Sequence, residues 1–412
     1  MFPGKEAPDR DRTESRPIRV LMVSKACLVG AYQRKLEEIA RFPEVELMVV
    51  VPFSWREEGR IVQLERAHTE GYELVVEPVA FSGSFHFHFY PRLARRLRTF
   101  RPDLVHVDEE PYNVATLHAL WLARRFGART LWFTWQNLNR RYPLPFRLIE
   151  AYTLGRTDYA IAGTQGAAEV WRKKGYTGPM AIIPQFGVDP ELFSPDRLGR
   201  LERLSARRDA ARGFTIGYVG RLVREKGVDL LVEALADLPG VWRLRIVGRG
   251  PEEEQLKAQV RRLGLGHRVA FEGWLPSVRM PAFYRQLDTL VLPSRSQPNW
   301  VEQFGRVLIE AMACAVPVIG SDCGEIPNVV GDGGLVFPED DAEALLASLT
   351  HLMQDVDLWS ELARRGRERV LAKFTQEHIA ARTVTVYREV VEGRRKAADD
   401  AWQADGETKG AQ

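Results

Sequence analysis

Glu302 and Glu310 stand eight residues apart on either side of Phe304-Gly305-Arg306-Val307. Pro293-Ser294 closes an apolar run, Ser, Pro and Asn fill the loop that follows, and helix formers with apolar residues continue from Val307 to Met312. This reads as strand, polar loop and a helix beginning near Phe304 or Gly305. The first amides of such a helix lack backbone partners and sit at the positive end of its dipole, and a glycine at 305 lets an anion come close. Two carboxylates bracketing an anion site suit a ligand with hydroxyls on both sides of a phosphate, as in a nucleotide-sugar.

Two more clusters follow apolar strands. Gly220-Arg221-Leu222-Val223-Arg224-Glu225-Lys226-Gly227 offers two cations: Arg221 could grip a diphosphate bidentately and Lys226 as a point charge. The competing reading is a solvated charged turn. Gly248-Arg249-Gly250-Pro251-Glu252 opens like a dinucleotide fingerprint, but Glu253 stands where the third glycine belongs. It signals NAD weakly and a turn close to a nucleotide better. His106, followed by Asp108, Glu109 and Glu110 at a strand end, is expected to face a cleft and to orient or deprotonate an acceptor, a buried histidine being the alternative. His86 and His88 alternate with Phe85, Phe87 and Phe89, which on a strand would place both imidazoles on one polar surface face. No metal site is expected.

The elements that must position these residues repeat one design. Apolar strands are expected at 18–23, 45–51, 74–76, 104–107, 130–133, 159–162 and 181–183, then at 214–220, 242–248, 269–271, 289–292 and 316–319, with helical patterns between most of them. Two doubly wound parallel sheets follow, facing each other across a cleft at the carboxyl ends of their strands. A length of 412 residues with 45% apolar content supports two cores. The expected divisions are a disordered leader at 1–16, a first Rossmann-like domain at 17–193, a linker at 194–213 and a second domain at 214–374. A helix at 375–392 and a disordered tail at 393–412 complete the chain.

A net charge of +3, from 58 basic and 55 acidic residues, does not call for nucleic acid. Cys27, Cys314 and Cys323 fit no zinc or disulfide spacing and are expected to be thiols in a reducing cytoplasm. The polar start and the lack of a long apolar run point to a soluble protein, or one at a membrane surface. Pro91 to Arg101 forms a short helix with five arginines, Arg92 to Arg101, and an apolar stripe at Leu93, Leu97 and Phe100. It could rest on anionic lipid, or simply pack on a sheet with a solvated outer face.

The second half resembles the retaining glycosyltransferases of family four, also called group 1. The resemblance rests on Gly220-Arg221 with Lys226-Gly227, Val247-Gly248-Arg249-Gly250-Pro251, Phe271-Glu272-Gly273-Trp274, Pro293-Ser294, and the Glu302 and Glu310 pair running into Ala311-Met312-Ala313 and Val316-Pro317-Val318-Ile319. It covers residues 214 to 345. The first half is similar mainly in architecture and in Arg101-Pro102-Asp103-Leu104-Val105-His106. The resemblance implies the two-domain GT-B fold. It implies Glu310 on the ribose hydroxyls and Glu302 on those of the donor sugar. Arg221, Lys226 and the amides from Phe304 to Val307 would hold the diphosphate beside Gly220, without a metal or cofactor. Arg249, Gly250, Pro251, Trp274 and Leu275 would lie near the base, with Gly248 also among the donor-binding residues. The helix at 375–392 would cross back to the first domain.

Three positions depart from the family pattern. Gln303 replaces the glycine of Glu-Gly-Phe-Gly, Val29-Gly30-Ala31-Tyr32 stands where relatives carry Gly-Gly, and Gln136-Asn137 stands where they place a histidine. Gly30, Tyr32, Gln136 and Asn137 are therefore the acceptor-side candidates. The implied activity is retaining transfer of a hexose from a UDP-, GDP- or ADP-sugar to a glycan, lipid-linked or small-molecule acceptor. Cell-envelope or exopolysaccharide synthesis at the inner membrane face is the setting it suggests. A nucleotide-sugar epimerase, a phosphorylase and a non-catalytic nucleotide-sugar-binding protein are the alternatives.

Overall fold

The computed structural model describes residues 16–57, 60–195 and 213–409. The first sheet is built from β1 (Ile18–Val23), β2 (Val45–Pro52), β5 (Glu73–Glu77), β6 (Leu104–Val107), β7 (Arg129–Thr134), β8 (Tyr159–Ala162) and β9 (Met180–Ile182) in the order β5-β2-β1-β6-β7-β8-β9. Its pairings are parallel. A hairpin, β3 (Ser54–Glu57) with β4 (Arg60–Gln63), sits apart from it. The second sheet runs β12-β11-β10-β13-β14-β15, from β10 (Phe214–Val219), β11 (Trp242–Val247), β12 (Val269–Gly273), β13 (Thr289–Leu292), β14 (Val318–Ser321) and β15 (Gly334–Phe337). The mainly apolar strands β1, β6 and β13 are buried on both faces almost throughout because helices cover both sides of a parallel sheet. In both sheets the strand order reverses beside the first strand, between β1 and β6 and between β10 and β13. The loops leaving those strands border the crevice where open sheets bind ligands.

The first domain carries α1 (Arg34–Ala40), α2 (Leu93–Phe100), α3 (Val114–Arg125), α4 (Leu144–Arg156) and α5 (Gln165–Lys173). The second carries α6 (Val228–Ala236), α7 (Glu253–Arg262), α8 (Met280–Tyr284), α9 (Arg306–Ala313), α10 (Ile326–Val330), α11 (Ala342–Gln354) and α12 (Val356–Lys373). The last helix, α13 (Gln376–Lys409), returns to the first domain. Its Ile379, Val384, Tyr387 and Val391 join the core made by β1, β2 and α1.

Several expectations change. The leader and the linker fall almost wholly outside the described residues. The chain leaves the first domain before residue 193: Val188 and Phe193 already pack in the second core, and Val188 pairs with Thr375 where the chain returns. The final helix does not stop at 392 but continues to Lys409, through a stretch whose four alanines, two arginines and two lysines favour helix without needing a core. β15 went unread because glycines at 331, 333 and 334 mask a four-residue strand. His86 lies in a turn and His88 in an irregular stretch, neither on a strand, and His88 is fully buried, with Nδ1 at 2.9 Å from the Phe85 carbonyl. The Leu93, Leu97 and Phe100 stripe of α2 is packed against the first sheet, leaving only its arginine face outward.

Candidate active site

The loop after β13 and the turn after β10 meet at the second domain's reversal point. Gly227, at φ 64°, makes this possible: a Cβ there would lie 1.9 Å from the Pro293 carbonyl oxygen. The contact brings Lys226 to Glu302, Nζ to Oε2 at 2.5 Å, while Ser294 Oγ donates to the same oxygen at 2.9 Å. Both charged side chains are nearly buried, at 15% and 9% exposure, so water screens the pair little. The ammonium also lies 4.9 Å from the Trp300 ring centre.

Helix α9 begins at Arg306 with Gly305 at φ 75° and no side chain capping it. Its leading edge is therefore open to an anion. One turn in, Glu310 accepts the buried Tyr284 hydroxyl at 2.8 Å and pairs with Arg306 Nε at 3.0 Å. Arg306 reaches across the cleft, donating to Tyr32 Oη at 2.8 Å, and Tyr32 stacks on Phe186 at 4.0 Å. The cleft is crossed again where Asn137 Nδ2 donates to the Glu302 carbonyl at 3.1 Å, and Trp135 lies 5.6 Å from Phe304.

The remaining candidates divide. A Cβ on Gly248, at φ 149°, would meet the Gly220 carbonyl at 1.8 Å, so the turns after β10 and β11 are in contact. Arg249 is exposed beside Gly273, Trp274 is 69% exposed, and Leu275 packs on the second core. Gly250 lies against Leu222, while Phe304 is buried and Val307 half-buried. Gly30 is buried, its amide donating to Glu65 at 2.7 Å. Gln136 is buried, its amide group donating to the Leu138 carbonyl at 2.8 Å. Arg221 does not join Lys226: it is 61% exposed, with Glu225 at 3.8 Å.

His106 is corrected outright. It is 1% exposed, Nδ1 lies 2.8 Å from Tyr387 Oη on α13, and burial together with Lys35 holds its pKa well below the usual value. The side chain points from β6 into the seam with the last helix, because successive strand residues alternate faces. It is a core histidine, not an acceptor base. Among the described residues no group of three or more His, Cys, Asp or Glu side chains is placed to hold a metal.

Three contributors were given no role of their own by the sequence: Ser294 and Tyr284, which position the two glutamates, and Glu110. Glu110 accepts Thr134 Oγ1 at 2.6 Å and the Trp135 amide at 2.8 Å, fixing the loop that carries Gln136 and Asn137. Burial pushes its pKa up from 4.5 to about 7, against the pull of those hydrogen bonds. In the unfolded chain the carboxyl ionises near 4.5, so its stabilising contribution is complete below that pH and is lost as pH rises to about 7. We expect wild-type unfolding free energy to fall by about 3 kcal/mol over that window relative to Glu110→Gln. Equal pH dependence of the two proteins in denaturant titrations would refute this assignment.

The family described as glycosyl transferases group 1 matches residues 206–369, and that described as glycosyltransferase family 4 matches residues 43–192. A lipopolysaccharide core biosynthesis glycosyltransferase from Rhizobium meliloti is 31% identical over 54% of this chain and 62% of its own. A GDP-mannose-dependent phosphatidylinositol monomannoside mannosyltransferase from Mycolicibacterium smegmatis is 32% identical over 53% and 59%. A lipopolysaccharide core biosynthesis mannosyltransferase from Rhizobium meliloti is 31% identical over 58% and 68%. The chain thus spans about three fifths to two thirds of the curated relatives it matches. Anabaena HepE, solved with UDP, superposes with a TM-score of 0.68 at 19% identity, covering 90% of this chain and all of that one. That likeness establishes the GT-B fold.

Proposed function

The chain belongs to the group 1 glycosyltransferases, and from that premise we propose that it transfers a sugar from a nucleotide-sugar to a glycan, lipid-linked or small-molecule acceptor with retention of anomeric configuration. The observation that carries the reading is the buried Lys226 and Glu302 pair beside the uncapped start of α9, with Glu310 one turn further on. A diphosphate at α9 is met by its amides and by Lys226, so charge growing on the leaving group is stabilised by groups already in place. Glu302, held through one oxygen by Lys226 and Ser294, keeps the other for a sugar hydroxyl near the reacting carbon. Glu310 takes the ribose. Arg221, exposed at the rim, closes on the phosphates when they arrive. Retention follows from front-face attack, the acceptor entering from the side of the leaving phosphate; a covalent intermediate on Glu302 is the competing route. His106 has no part in it.

The UDP held by HepE and the GDP-mannose of the mycobacterial relative support a UDP- or GDP-sugar donor. The lipopolysaccharide and phosphatidylinositol mannoside roles in the relatives' names support a cell-envelope acceptor and a place at the inner membrane face. Among the described residues no helix is long and apolar enough to cross a membrane. The test is a calorimetric panel of UDP-, GDP- and ADP-linked sugars, with and without magnesium, followed by product analysis. Selective binding of one donor and its transfer to an added acceptor is the expected result. Donor turnover without an acceptor would replace the reading with an epimerase, and phosphate-dependent turnover with a phosphorylase.

A further inference from the structure

We propose that Trp300 is a positioning residue for the Lys226 and Glu302 pair, and that the turn carrying it keeps water from the reacting end of the donor. Gln297-Pro298-Asn299-Trp300 closes on itself: the Gln297 amide donates to the Trp300 carbonyl at 2.7 Å and the Trp300 amide to the Gln297 carbonyl at 3.1 Å. Proline's fixed φ suits the second position of such a turn, and asparagine is among the residues turns favour. The stem is fixed to the second domain. Arg295 forks onto Asp229 of α6 at 3.0 and 3.1 Å, the Ser296 hydroxyl donates to Glu339 at 2.7 Å, and Val301 packs on the second core. An indole whose turn is anchored on both sides has one place to be, with its ring centre 4.9 Å from the Lys226 ammonium.

The ring takes a place at Lys226 that water would otherwise fill. An aromatic face attracts a cation and, unlike water, does not screen it. The ammonium therefore meets a leaving diphosphate with its charge undiluted. The first domain grips the same segment at three points: Arg140 donates to the Asn299 carbonyl at the tip of the turn, Asn137 Nδ2 to the Glu302 carbonyl at 3.1 Å, and Gln303 Nε2 to the Trp135 carbonyl at 3.3 Å. The last contact belongs to the residue that departs from the family's glycine, which has no side chain to make it. The stretch bearing both Trp300 and Glu302 is thus tied to both domains. Where that closure excludes water, a bound acceptor attacks in preference. Either nucleophile's oxygen forms a bond to the anomeric carbon as the bond to the diphosphate breaks. The diphosphate oxygen keeps the electron pair, and the nucleophile's proton leaves to phosphate or solvent. Only the oxygen that arrives differs. This role rests on the proposed function.

Release of nucleoside diphosphate and formation of glycoside are measured together, with the UDP-, GDP- or ADP-sugar that the full-length wild type turns over and octyl glycosides as acceptors. Trp300→Ala is expected to lower kcat about tenfold with donor KM within about twofold, and to raise the share of donor lost as free sugar at least about fivefold. Trp300→Phe keeps a ring over the ammonium and should hold these values within about threefold of wild type. Arg140 is exposed, so Arg140→Ala loosens the turn without opening a core, and should raise the free-sugar share about threefold. In a Lys226→Ala background Trp300→Ala should cost no further turnover, because its target is gone. A Trp300→Ala protein that transfers and hydrolyses like the wild type overturns the proposal. So does a loss equally large with and without Lys226, which would make Trp300 a packing residue. Failure of the wild type to turn over any of these donors removes the proposed function and this role together, an outcome distinct from either.

Discussion

Lys226→Ala is expected to lower kcat/KM by about 100- to 1,000-fold, the usual cost of removing a preorganised donor from developing charge. The same substitution strands the Glu302 carboxylate, whose Oε2 keeps only the Ser294 hydroxyl. Breaking one partner of a nearly buried pair costs about 3 to 5 kcal/mol of stability, so turnover must be measured well below the lowered melting point. Glu302→Gln reaches the pair from the other end and should cost comparable activity. The double variant separates the two effects. With both charges gone the stability loss should be smaller than the sum of the singles, while turnover stays at the level of the worse single. Recovery of turnover along with stability would mean that the pair only holds the fold, and the site assignment would fall.

Glu310→Gln carries the second large effect. Its carboxylate is already oriented by Tyr284 and Arg306, so a ribose diol would meet a fixed acceptor rather than a mobile one. Loss of charge-assisted hydrogen bonds of about 1.5 to 3 kcal/mol corresponds to about 10- to 150-fold weaker donor binding. Tyr284→Phe, which keeps the charge and removes only one orienting bond, should weaken it by a few-fold. Calorimetry on the free nucleoside diphosphate as well as the whole donor distinguishes ribose from sugar contacts. Donor affinity in Glu310→Gln within about twofold of wild type would show that Glu310 serves Arg306 and the Tyr32 contact instead.

The geometry of the candidate site was legible where it depends on local sequence. The strand end, the glycine and the helix start around residue 305 follow from residue types at fixed offsets, and so do the two carboxylates. The parallel sheets were legible for the same reason, since apolar runs separated by helical patterns admit few arrangements. What failed depends on which face a side chain takes and what arrives from far along the chain. His106 looked like a cleft residue because acidic residues follow it, but its partner Tyr387 lies 281 positions away. Arg221 and Lys226 looked equivalent until the Gly227 turn carried one inward and left the other outside. The α2 arginines drew attention as a cluster, but the apolar stripe beneath them is packed in the core.

The return of α13 bears on how the chain is made. Ile379, Val384, Tyr387 and Val391 complete a core whose other members lie between Ile18 and Ile183, so during synthesis the first domain must wait for the last helix, whereas the second can close beforehand. Truncation ahead of Gln376 should therefore unfold the domain that was translated first. The intervening delay, with β1 and α1 uncovered, is when a nascent chain would need protection from its neighbours.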